Sequence, residues 1–91
     1  MPEVYMRIQW PDDTTDRVYS PSSIIRDFFE EEEQMTVAAF EERITNALTR
    51  ASERVREVYG MECASAKQEL RRVQGATDER ADDGQVTILN L

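Results

Sequence analysis

The sequence predicts an α+β fold: a three-stranded sheet with helices packed on one face. Three observations carry this reading. The opening EVYMRIQ alternates apolar and polar residues, the middle of the chain holds a long apolar stripe at steps of three and four, and the closing QVTILNL returns to β-branched residues after the helices. A strand that arrives last needs partners for its backbone groups, and the opening hairpin supplies them.

The elements follow in order. In residues 3–9, Val4, Met6, Ile8 and then Trp10 share one face, while Tyr5, Arg7 and Gln9 share the other. That is the period of a half-buried strand. Pro11-Asp12-Asp13 is turn chemistry, because proline presets φ and aspartate bonds its own backbone. Asp16 to Tyr19 resumes an extended pattern with Val18 toward the core. The result is a hairpin with a loop near Pro11 to Thr15. Ser20-Pro21 then pairs a favoured N-cap with a favoured first helical residue, and predicts a short helix from Pro21 to Phe29. Its apolar side is Ile24, Ile25, Phe28 and Phe29. Glu30 to Glu33 repel one another and predict a solvated loop or a frayed helix end.

The next helix is the clearest element. Thr36 caps it, with Met35 placed to staple against Phe40. Val37, Phe40, Ile44, Leu48, Ala51, Val55 and Val58 or Tyr59 form one stripe, and Gly60 ends it as a left-handed cap. Residues 37–59 span about 35 Å as a helix, whereas a strand of six or seven residues covers only ~20 Å. The far end of the stripe is therefore expected to overhang the sheet and to meet another helix or a second subunit, which makes a homodimer through the long helix an expectation. A final helix is predicted from residue 63 to about 81, with Cys63, Ala66, Leu70 and Val73 as a weaker stripe and Gly75 as a kink or an end. Asp82-Asp83-Gly84 is a turn, and residues 85–91 are the last strand. No repeat or linker divides the chain, so residues 1–91 read as a single α+β domain.

Composition restricts the function. The 91 residues carry a net charge of −8, which disfavours nucleic acid as a partner. No apolar run approaches the ~20 residues of a membrane span, and MPEVYMRIQW has neither the basic nor the apolar region of a signal peptide. A cytoplasmic protein away from the membrane is expected. Cys63 is the one cysteine, which excludes an internal disulfide. The chain has no histidine, the commonest general base and neutral metal ligand. Gly60, Gly75 and Gly84 are not spaced to cradle a phosphate. Asp12, Asp13 and Asp16 lack the glycine and distal glutamate of a calcium loop. No cofactor, metal site or catalytic residue is expected.

The binding candidates are aromatic and basic. Trp10 and Tyr19, with Tyr5, place aromatic surface on the hairpin, although Trp10 has the parity of a core residue. Arg43, Arg50 and Arg54 lie on one flank of the long helix at steps of seven and four, and offer a basic stripe to an anionic partner. Pairing within the helix, as of Glu53 with Arg50 and Arg56, is the plainer account. Cys63 beside a helix start is a possible reactive thiol. Its plainer role is as a small buried residue, because no histidine activates it and Glu62 adjoins it.

Four blocks carry a resemblance: WPDD at 10–13, YSPSSIIRDFF at 19–29, ASERVREVYGMECASA at 51–66 and VTIL at 86–89. The third is the most specific, with Ala51 to Arg56, Tyr59-Gly60, Cys63 and Ser65-Ala66 in its pattern. Nearly end to end, the chain resembles a small bacterial family of nitrogen starvation response proteins. The resemblance implies a gene neighbourhood containing a nitrilase, a radical SAM protein, an acetyltransferase and a flavoprotein, and a link to nitrile or cyanide nitrogen. It implies no molecular activity and no catalytic residues. The chain departs from that pattern at two points: Asp13 stands where the family usually has glycine, and Glu31-Glu32 where it usually has proline-glycine.

The expected function is that of a small accessory or regulatory binding protein in nitrogen-starvation or nitrile-utilisation metabolism, not an enzyme. Its expected partner is a protein, such as an enzyme of the same gene cluster. The alternative is a small thiol-dependent enzyme or carrier using Cys63, with Arg54 or Arg56 near it. A small-molecule module beneath the helices ranks last, because a chain this short encloses only a shallow pocket.

Overall fold

The computed structural model describes residues 3–61 and 64–91. Strands β1 (Val4–Gln9) and β2 (Thr15–Ser20) form the opening hairpin, and a short 3-10 helix, Ser23–Asp27, follows. Strand β3 (Gln34–Thr36) runs directly into helix α1 (Val37–Tyr59). Helix α2 (Ala64–Asp78) and strand β4 (Gln85–Asn90) complete the chain. The sheet is antiparallel in the order β2-β1-β4-β3, so the last strand lies between the first and the third.

The sheet therefore has four strands, not the three read from the sequence. The added strand lies at the end of the acidic run assigned to a solvated loop. Backbone pairing outweighs the charge there: Glu32 N–H donates to Ile88 O at 2.7 Å, and Ile88 N–H donates to Glu33 O at 2.8 Å. Met35 then turns inward to 7% exposure. The glutamate side chains also have partners. Glu33 takes Arg43 and the Glu30 N–H, and Glu31 accepts from the Leu91 N–H.

The hairpin follows its alternation. Val4, Met6, Ile8, Trp10 and Val18 are buried, and the turn is closed by Trp10 N–H to Thr14 O (2.8 Å) and Asp13 N–H to Trp10 O (3.0 Å). The first helix is shorter than predicted and is a 3-10 turn capped by Ser22, whose Oγ accepts the Ile24 N–H at 3.3 Å. Ser20, the cap expected from the sequence, lies two residues earlier and is buried, its hydroxyl donating to Ser22 O at 2.7 Å instead of capping the helix.

Helix α1 begins and ends where the sequence placed it. Thr36 Oγ1 accepts the Ala39 N–H at 3.1 Å, and Gly60 caps the far end at φ 74°. The start is doubly held, because Val37 and Ala38 donate to the carbonyls of Gly84 and Asp82 in the turn before β4. Gly84 is a close approach: a Cβ there would lie 2.6 Å from Pro11 Cγ, so the hairpin loop packs directly on that turn. Helix α2 ends at Asp78, earlier than about 81, and runs through Gly75 without stopping. Cys63, predicted at its start, lies outside the described residues.

The core joins the inner sheet face to α1, with Phe40 between Phe29 and Trp10 at ring-centroid distances of 5.8 and 5.6 Å. The stripe of α1 is buried from Val37 to Ala51, half-buried at Val55, and exposed at Val58 and Tyr59. The expected overhang is present, in a molecule 39 × 23 × 17 Å in extent.

Candidate functional site

The residues nominated from the sequence do not form one site. Trp10 is a core residue at 3% exposure. Its ring packs edge-on against Phe40, the Arg80 guanidinium lies 4.2 Å from its centroid, and its indole N–H donates to Asp16 Oδ2 at 3.4 Å. Trp10 anchors the hairpin and presents no surface to a partner. Tyr19 lies on the opposite face of the sheet, its ring 5.6 Å from that of Tyr5.

The arginine stripe divides as well. Arg43 donates to Glu33 Oε2 at 2.6 Å and to Phe28 O at 3.4 Å, and its guanidinium lies over the Phe29 ring. It ties α1 to the segment that leads into β3. The bond from Arg43 holds the Glu33 carboxyl below its ordinary value. Arg50 pairs with Glu53 and Glu57, and Arg54 with Glu57, along one exposed helix face. This is the intrahelical pairing expected of such spacing, worth only ~0.3–0.5 kcal/mol per pair.

The acidic hairpin residues are engaged locally. Asp12 accepts both the Thr14 hydroxyl (2.6 Å) and the Thr14 N–H (3.2 Å), and these bonds lower its pKa. Asp13 accepts from Gln9, and Asp16 from Arg17 N–H, Trp10 and Arg72. Among the described residues, no group of carboxylates is arranged to hold a metal ion.

Two further arrangements were missed from the sequence. The first is a clamp on the outer edge of β2. Glu69 of α2 accepts the Tyr19 N–H at 2.7 Å, and Arg72 donates to Arg17 O at 3.0 Å, to Asp16 and to Glu69 itself. The two side chains satisfy the edge groups that would otherwise pair with another strand. Glu69 and Asp16 in turn raise the Arg72 pKa. The spacing of Glu69 and Arg72 on one helix face was visible; their partners, 50 and 56 positions away in the chain, were not.

The second is the solvent face of the sheet. Arg7 and Arg17 are directly opposed across β1 and β2, with Tyr5 opposite Tyr19 in the next outward-facing pair. Both arginines are exposed, and among the described residues neither has an ion pair. The Arg17 guanidinium stacks 4.7 Å from the Tyr5 centroid. Such stacking offsets part of the repulsion between like charges placed opposite each other in a sheet. The parity of EVYMRIQ had put Tyr5 and Arg7 on this face. Their partners followed only once the turn fixed the register.

On the helix side, a shallow groove of about 300 Å³ runs between α1 and α2, with Leu48, Ala66 and Leu70 beneath and Ser52 and Arg56 on its rim. No described helix is long and apolar enough to cross a membrane.

Together these features define a small acidic α+β protein whose helices cover one sheet face and one sheet edge and leave the other face open. The chain belongs to the family of the nitrogen starvation-induced protein NitG, whose model matches residues 5–91. No curated protein and no solved structure matches it.

Proposed function

We propose that this chain is a non-catalytic accessory or regulatory protein that binds a protein partner in the cytoplasm under nitrogen starvation, within the use of nitriles or related nitrogen sources. Membership in a nitrogen starvation-induced family supports the physiological setting, and the sequence resemblance supports the link to nitriles. The observation that carries a binding role is the open sheet face. Arg43, Arg72 and Arg80 are committed to tying elements together, whereas Arg7, Arg17 and Tyr5 stand exposed together on the outer sheet face. Tyrosine and arginine are the residue types that contribute most at protein interfaces.

The test is affinity recovery of the tagged protein from nitrogen-starved cells, with light scattering on the purified protein. The expected result is one enzyme of nitrogen metabolism recovered in a fixed ratio to the bait. Turnover of a nitrile or amide by the purified protein alone would make the non-catalytic reading wrong.

A further inference from the structure

We infer that the open sheet face receives an acidic segment of the partner protein, with Arg7 and Arg17 as the paired donors to its carboxylates. This rests on the binding role proposed above and specifies the chemistry of the partner.

The argument begins with register. Arg7 and Arg17 are Cα partners in an antiparallel pair, a placement that costs stability when both side chains are charged. The nearby carboxylates do not relieve it. Glu3 accepts the Tyr5 hydroxyl, Asp16 accepts from Arg17 N–H, Trp10 and Arg72, and Glu69 is held by Tyr19 N–H and Arg72. Two guanidinium groups on a chain of net charge −8 are thus left facing water, one of them stacked on an aromatic ring. A carboxylate placed between them would accept from both, and arginine is the side chain best suited to such forked bonding.

The same geometry selects how the segment approaches. Glu69 and Arg72 already occupy the Tyr19 N–H and the Arg17 carbonyl on the β2 edge. An added strand would find those groups taken, so the segment lies across the face and is read through side chains. Net repulsion between two acidic proteins is screened beyond about 8 Å at 0.15 M salt, while contacts at the arginine pair persist. Binding at this ionic strength therefore reports the local pair and not the overall charge.

The experiment uses the full chain at about 0.15 M salt, a short fluorescent poly-glutamate peptide as probe, and a single-stranded oligonucleotide of equal charge as competitor. Peptide binding is expected to shift the backbone amide resonances of β1 and β2, and to weaken about fivefold in each of Arg7→Gln and Arg17→Gln. The melting temperature should hold or rise, because a like-charge pair has been removed. Unchanged affinity in both variants overturns the inference, as does loss of binding in step with loss of folding. Stronger capture of the oligonucleotide overturns it in favour of nucleic acid. Self-association abolished by the same substitutions overturns it in favour of a second copy. If the variants recover the cellular partner as well as the wild type does, this inference fails and the binding role stands; if the wild type recovers nothing, the binding role itself fails.

Discussion

Asp13 and Glu32 are the two non-glycine residues with positive φ among those described, at 69° and 67°. They are also the two positions where the resemblance led one to expect glycine. Both positions thus carry a side chain in the backbone region that favours glycine. Aspartate tolerates the left-handed region, but glutamate has no comparable local bond to offset its Cβ strain. Glu32→Gly is expected to stabilise the protein by about 0.5–1 kcal/mol, the relief of strain exceeding the added freedom of the unfolded chain. Urea denaturation of the two proteins checks this, and an unchanged or lower midpoint would contradict it. Trp10 teaches a related lesson. Its strand parity placed it in the core, while its residue type suggested an interface, and burial followed parity.

Among the elements, α1 was legible to the residue because every local signal agreed: a threonine cap, a regular apolar stripe and a terminal glycine. Strand β3 was not, because its three residues adjoin an acidic run and its strand character comes from β4, which follows some fifty residues later. The register that opposes Arg7 to Arg17 was hidden for the same reason: pairing is a property of two segments. The arginine flank of α1 was visible as a pattern, but which members bond within the helix and which reach β3 depends on where the acidic segment returns. The Arg43–Glu33 contact makes that return testable by pH. Glu33 titrates below its ordinary value of 4.5 in the folded protein because Arg43 bonds its charged form. Its contribution is therefore present above the unfolded value and lost as pH falls through the lowered folded value. Arg43→Gln should lower stability near neutrality and flatten the decline below pH 4.5, measured as urea midpoints across acid pH. A variant curve parallel to that of the wild type would show that the pair contributes nothing to this dependence. The Asp12 carboxyl, lowered by its Thr14 bonds, remains in both proteins and leaves a common residual slope.

At the scale of the whole molecule, the sheet order places β4 between β1 and β3. Removal of residues 85–91 leaves β3 without the strand it pairs with and strips Val86 and Ile88 from the core. That truncation is expected to abolish the cooperative thermal transition, read by circular dichroism; a sharp melt in the shortened chain would contradict this account.

This order also fixes when the protein can exist. During synthesis the hairpin and both helices emerge before Gln85, and a two-stranded hairpin is at best marginal in water. The native state must wait for the last strand to leave the ribosome and insert between segments made much earlier. Folding thus draws its decisive contacts from segments far apart in the chain. A copy that stops short of Gln85 leaves the inner edge of β1 and the β3 segment without their backbone partners, and such unpaired edges are prone to aggregate.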